Sequence, residues 1–205
     1  MAFSGIILAN IYDISVDTPQ KEEFFLVDTN VWYWMTYTKG ITPSRPYLSI
    51  YPKYLSNVIA NDAVLLHSGL SLAELTHIIE RTEREIHEKA INKKIKTKEF
   101  RHDYPNERNT ALSEIETSWL QVENLAVNID INICTAVTNR CIQSLKTNTL
   151  DGYDLMILDS MSQNNIKNII TDDSDYVTVK DINVFTANTN VIKCAAAQGK
   201  LITRN

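Results

Sequence analysis

The stretch Glu23-Phe24-Phe25-Leu26-Val27-Asp28, "EFFLVD", is a short apolar run that ends in a carboxylate. Apolar residues at every interior position, without alternation, suit a strand buried on both faces of a parallel sheet. "AVLLHS" (63–68), "IKNIIT" (166–171) and "INVFT" (182–186) read the same way. Between them lie segments of helical pattern. "NVWYWMTYTKG" (30–40) stops at Gly40, and a helix is expected from about Tyr47, with Pro52 disturbing its start. "SLAELTHIIERTEREIHEKAINKK" (71–94) is a long helix with Leu72, Leu75, Ile78, Ile79 and Ile86 on its apolar side. Helices are also read at 106–128, 132–148 and 152–165, while the C-terminal tail is weakly patterned. Strands separated by helices predict an α/β fold, a parallel sheet covered on both faces.

The chain has 205 residues, 44% of them hydrophobic and 22% charged, ordinary values for a soluble globular protein. The net charge of −5 is unevenly spread. Residues 81–102 hold eight of the 20 Lys and Arg against four acids, a net of +4, which leaves −9 for the rest. This basic stretch and its neighbours predict a helical hairpin projecting from the α/β body; Lys93, Lys94, Lys96, Lys98 and Arg101 are candidate contacts to a nucleic-acid backbone. The bland alternative is a solvated helix face. Three cysteines with no CxxC spacing argue against a disulfide framework, and packing is the expectation for Cys134 and Cys141. The N-terminus has no basic residue before its short apolar run, and no run is long enough for a membrane span. A cytoplasmic location, without membrane contact, is the expectation.

Acids gather at the ends of these elements. Asp28 closes the first strand, Asp173 follows "NIIT", Glu74 lies near the start of the long helix, and Asp154 opens "DLMILDSM". In parallel α/β sheets, ligand sites form beyond the carboxyl ends of the strands. Two such charges about 5 Å apart repel by roughly 3 kcal/mol at an effective dielectric near 20. A hard divalent cation relieves that repulsion, because Mg2+ and Mn2+ take oxygen ligands, and it can activate water for attack on a phosphodiester. Local readings compete. Ser71–Glu74 fits a capping box, Asp28 a helix N-cap, Asp154 a first-turn acid, and "TDDSD" an Asx turn. Asp151 reads as a turn or cap residue, and His77 and Trp32 as packing or exposed residues.

The chain resembles the PIN-domain family, which includes VapC-type toxin ribonucleases. The matching pieces are "FFLVDTNVW" with Asp28 and Asn30, "LSLAELTHII" with Glu74, "GYDLMILDS" with Asp154, and "IITDDSDYVTV" with Thr171, Asp173 and Asp175, in the family's order. They span about residues 23–80 and 105–186. The resemblance implies a three-layer α/β/α PIN-like fold over one domain, 1–205, with a basic helical elaboration at about 81–104. It implies a metal-dependent ribonuclease in which Asp28, Glu74, Asp154 and Asp173 hold Mg2+ or Mn2+. Asp175 is then an auxiliary acid, and Asn30 and Thr171 support the site. An RNA substrate, a small antitoxin protein and a homodimer are the implied partners. A non-catalytic PIN module scaffolding an RNA or protein complex is the alternative. A dehalogenase-type phosphatase is disfavoured, since "DTN" lacks the second Asp that class places after its first strand. Residues 1–22 and the C-terminal tail have no counterpart in the resemblance, and Asp159, five after Asp154, should point away from the site.

Overall fold

The computed structural model describes residues 5–204. Its centre is a seven-stranded, wholly parallel sheet. In chain order the strands are β1 (Asn10–Asp13), β2 (Phe24–Val27), β3 (Val64–Ser68), β4 (Val127–Ile129), β5 (Asn168–Ile170), β6 (Asn183–Thr186) and β7 (Leu201–Ile202). Across the sheet they run β4-β3-β2-β5-β6-β1-β7, so the strand that ends at Asp28 is flanked by β3 and β5.

Among the described residues eight α-helices accompany the sheet: α1 (Thr29–Thr36), α2 (Ile50–Ala60), α3 (Gly69–Ile91), α4 (Thr97–Asp103), α5 (Pro105–Leu125), α6 (Thr135–Ser144), α7 (Gly152–Gln163) and α8 (Thr189–Ala197). Strand alternation divides the core in two. Phe25, Val27, Leu65, Ile170 and Phe185 face one way and bury against Val31 and Trp32 of α1, Tyr51 and Leu55 of α2, Leu75 and Ile79 of α3 and Val122 of α5. Leu26, Leu66, Ile169 and Val184 face the other way, onto Cys141 of α6, Leu155 and Met161 of α7, and Val191 and Ala195 of α8. This is the three-layer α/β/α arrangement expected of uniformly apolar strands.

Several boundaries differ from the sequence reading. The long helix begins at Gly69, not near Ser71, and Ser68 is its N-cap residue. It ends at Asn92, whose left-handed φ of 51° stops the helix before the lysine-rich stretch, where a separate α4 forms. The helix expected to run on to residue 128 gives way to β4 at Val127. A 3-10 turn at Pro46–Ser49 precedes α2, which places Pro52 in the first turn of α2, where its missing N–H is harmless. Gly40 is not the helix stop, since α1 already ends at Thr36; a Cβ at residue 40 would lie 2.5 Å from the Tyr33 carbonyl oxygen.

The N-terminal residues and the C-terminal tail, which have no counterpart in the resemblance, build one side of the sheet. β1 inserts between β6 and β7, and α8 leads into β7. Arg204 then reaches back. Its guanidinium bonds Asp17 and Glu23 and lies 5.3 Å from the Tyr12 ring centroid and 5.1 Å from that of Phe185. A bidentate, ring-stacked arginine is a strong form of such a tie.

α3 and α5 pack along one another as the two arms of the expected hairpin, with α4 at its turn. Ile95, Phe100 and Ala111, with Tyr104 against them, form a small core there, apart from the two sheet-facing cores. Removing the Phe100 ring by Phe100→Ala should cost about 3–5 kcal/mol locally. Hydrogen exchange should show amide protection lost across Thr97–Asp103 and the facing turns of α5, with the sheet unchanged. No helix of the described residues is long and apolar enough to cross a membrane.

Candidate active site

The site is set by strand register. Leu26 pairs with Leu66 and Val27 with Ile170, so Asp28 emerges beside Ser68 on one flank and Thr171 on the other. Asp28 is the N-cap of α1, its carboxylate accepting from the Asn30 N–H at 3.4 Å. It also accepts from the Thr171 hydroxyl at 2.6 Å. The N-cap reading of Asp28 is borne out, and its second carboxylate oxygen is left to Thr171. Thr171 is fully buried and its oxygen in turn accepts from the Asp173 N–H at 2.9 Å. One hydroxyl thus links two of the acids. The Asp173 carboxylate accepts from the Asp175 N–H at 2.8 Å, so the Asx turn read in "TDDSD" is formed.

Glu74 sits in the second turn of α3, and its carboxylate accepts a hydrogen bond from the Thr29 hydroxyl. The capping-box reading of Ser71–Glu74 is thereby corrected: the helix starts too early for it, and the carboxylate points toward α1. Asp154 lies in the first turn of α7 and accepts from the phenol of Tyr176 at 2.8 Å. Asp151 is the N-cap of the same helix, bonded to the N–H groups of Tyr153 and Asp154.

The electrostatics show which of these groups share a space. Burial pushes Asp28 from its ordinary 3.8 up to about 7, against the Thr171 hydrogen bond, with the charges of Asp173 and Glu74 adding to the rise. Asp154 is likewise pushed up to about 7, first by burial and then by the charge of Asp28. Glu74 is raised by burial, with Asp154 and Asp151 contributing. Asp175 is raised by burial, then by Asp173 and Asp151. Buried Tyr176 is raised strongly, by burial and then by Asp154, Asp28 and Glu74, which keeps it a proton donor. Acids from α1's cap, α3, α7 and the segment after β5 therefore face one space. None of Asp28, Glu74, Asp154, Asp173 or Asp175 takes part in an ion pair with Lys, Arg or His among the described residues.

Among the described residues, no three acid, His or Cys side chains close on a single point tightly enough to cage an ion. The carboxylates of Asp28, Glu74, Asp154 and Asp173 are instead turned to a hydroxyl or backbone N–H. Two features still fit a hard cation. The donor set is entirely carboxylate oxygen, and Ser68, fully buried in register beside Asp28, carries a hydroxyl oxygen with no hydrogen-bond partner.

Other expected residues are placed as follows. Asn30 is exposed and its contact to the site is through its backbone N–H. Asp172 belongs to a different network, accepting from Tyr51 at 2.6 Å and Tyr47 at 3.0 Å. Asp159 does point away, held by both arms of the Arg140 fork. His77 is exposed and Trp32 is core. Cys141 is buried, but Cys134 is exposed at the start of α6, which corrects the packed reading for that residue. Of the five basic residues expected to contact a nucleic acid, Lys93 pairs with Glu99 at 2.7 Å, Lys94 with Glu88 at 2.8 Å, and Arg101 with Glu80. Lys96 and Lys98 are exposed. Thr29, Tyr176 and Ser68 were not singled out from the sequence. Only Thr29, between Asp28 and Asn30, carried any positional hint.

No protein-family model matches the chain, and no curated protein matches it by sequence. Among solved structures, one similar to this fold is described as VapBC2 from Rickettsia felis bound to a DNA fragment from their promoter. It is 12% identical, with a TM-score of 0.44 over 80% of this chain and 98% of that one. PAE2754 from Pyrobaculum aerophilum is also similar, at 12% identity and a TM-score of 0.44, over 90% of this chain and 96% of that one.

Proposed function

We propose that this protein is a divalent-metal-dependent endoribonuclease of the PIN kind, folded as a single domain with the α3–α5 hairpin as its elaboration. The observation that carries the reading is the pair Asp28 and Asp154. Both are pushed up to about 7, first by burial; the charges of Asp173 and Glu74 add to the rise at Asp28 and that of Asp28 to the rise at Asp154, with no basic side chain paired to any of them among the described residues. Carboxylates held together without a counter-charge need either protons or a cation.

Asp28, Glu74, Asp154 and Asp173 are the residues to hold Mg2+ or Mn2+, with Asp175 auxiliary. Such an ion supplies charge for the anionic transition state of phosphodiester hydrolysis and lowers the pKa of an attacking water. The chain's own hydroxyls fix the acids. Thr171 holds Asp28 and the Asp173 backbone, Thr29 holds Glu74, and Tyr176 holds Asp154. Thr171→Val keeps the shape and removes the shared hydroxyl. It should lower kcat about tenfold with little change in KM, read from initial rates, because carboxylate orientation matters most at the transition state.

The reading is tested by incubating purified protein with single-stranded RNA in Mn2+, in Mg2+ and in EDTA. Internal cleavage in the metals and none in EDTA is expected. Intact RNA in all three would favour a non-catalytic scaffold. On the same reading, a small antitoxin covering the acids and a second copy of the chain are the partners to seek by co-purification and light scattering.

A further inference from the structure

Three of the five basic residues expected to meet nucleic acid are occupied inside the hairpin, which raises the question of where positive charge is left free. Arg81 and Arg84 lie on α3, seven and ten residues beyond Glu74. With His77 they fall within about 80° of Glu74 around the helix, at 100° per residue, so all four share one side of it. At 1.5 Å per residue, Arg81 lies about 10 Å and Arg84 about 15 Å along the helix from Glu74. His77, Arg81 and Arg84 line a pocket of about 210 Å3 with Ile78, Glu80 and Thr97.

The charge balance of this pocket is positive. Glu80 is neutralised from behind by the two-armed fork of Arg101. Arg81 is exposed, and neither it nor Arg84 takes part in an ion pair among the described residues. Arg84 spends one N–H on the Ile95 carbonyl at 3.0 Å, which anchors its guanidinium at the pocket wall and leaves its other donors available. Thr97, whose side chain is a neutral hydroxyl donor, lines the same pocket. A guanidinium pair with a hydroxyl in a concave setting suits tetrahedral oxyanions.

We infer that the Arg81–Arg84–His77 face of α3 is a binding site for the phosphodiester backbone of RNA, holding phosphates that flank the one at the acids. The inference rests on the RNA-cleaving reading for its choice of ligand. A strand with one phosphate at Glu74 and its neighbours can lay the next phosphates along the arginines. Contacts of this kind fix register and carry little sequence information.

The test is binding of a fluorescein-labelled single-stranded RNA oligonucleotide to the full chain in EDTA, followed by anisotropy over a series of salt concentrations. Arg81→Gln, which disturbs no contact inside the fold, should weaken binding about three- to tenfold at 0.15 M salt. It should also reduce the slope of log affinity against log salt by about 0.7, the loss of one phosphate contact. Arg81→Gln with Arg84→Gln should lose about twice that slope, whereas Lys96→Gln with Lys98→Gln should lose less. Unchanged affinity and slope in Arg81→Gln would overturn the inference, as would displacement of RNA by low-millimolar inorganic phosphate at constant ionic strength. Because cleavage is off in EDTA, the two readings fail separately. Metal-dependent cleavage with arginine-independent binding would remove only this site, and arginine-dependent binding without cleavage in Mn2+ would remove only the nuclease reading.

Discussion

Asp154→Asn and Asp28→Asn should each lower Mn2+-dependent RNA cleavage by at least about a hundredfold, with the fold retained. The size follows from position. Asp154 is raised by the charge of Asp28, Asp28 by those of Asp173 and Glu74, and buried Tyr176 by Asp154, Asp28 and Glu74, so the groups form one electrostatic unit. In such a unit a single substitution costs nearly as much as removing every member, because removing one unsettles the charge balance that the others need. Asparagine keeps the size, and it keeps an oxygen able to accept from Thr171 or Tyr176, so the loss reports charge and not packing. Single-turnover rates with circular dichroism of each variant make the measurement. Asp159→Asn is the matched control on the same helix. Its carboxylate is engaged by Arg140 on the far side, and its activity should stay within about threefold of the parent.

The second large effect concerns stability and pH. Asp28 and Asp154 have an ordinary value of 3.8 and stand near 7 in the folded protein. Between those values the folded chain holds protons that the unfolded chain releases. The associated stability is fully present below about pH 4 and is lost as pH rises to about 7. In EDTA, the melting temperature should therefore fall between pH 5 and pH 7.5. The drop should correspond to about 3 kcal/mol, or roughly 5–10 °C for a chain of this size. Asp28→Asn should flatten that fall and be more stable than the parent at pH 8. Saturating Mn2+ should raise the melting temperature strongly at pH 8 and hardly at pH 5, because protons and cation compete for the same oxygens. A parent protein whose stability in EDTA rises steadily from pH 5 to pH 8 would contradict the half-buried state of these acids without a counter-charge.

The parts of this architecture that were legible in the sequence are those with strong local signals. "FFLV" before Asp28 and "NII" before Thr171 are uniformly apolar, and only a strand covered on both faces explains such runs. Once those strands are parallel neighbours, register alone brings Asp28 beside Thr171. Glu74 and Asp154 needed only correct helix starts, although the start of α3 was misplaced because Ser71 and Glu74 imitate a cap.

What was not legible depends on partners distant in sequence. β1 and β7 have four and two residues, too short to show periodicity, and they exist because β6 offers an edge to β1 and β1 in turn offers one to β7. Hydroxyls such as Thr29 and Tyr176 carry no pattern that marks them as holding a carboxylate. The basic stretch misled for a related reason. Counting lysines cannot reveal that Lys94 returns to Glu88 or that Arg101 crosses to Glu80, and these pairings leave only part of the basic stretch free, Lys96 and Lys98 at the turn and Arg81 and Arg84 on α3.

Calorimetric titration of Mn2+ into the metal-free protein at pH 8 is the most direct check on the claim that these four acids form a cation site. Saturable binding with proton release is expected, with the dissociation constant raised at least about thirtyfold in Asp154→Asn and unaltered in Asp159→Asn. Absence of saturable binding, or binding that Asp154→Asn leaves untouched, would contradict it.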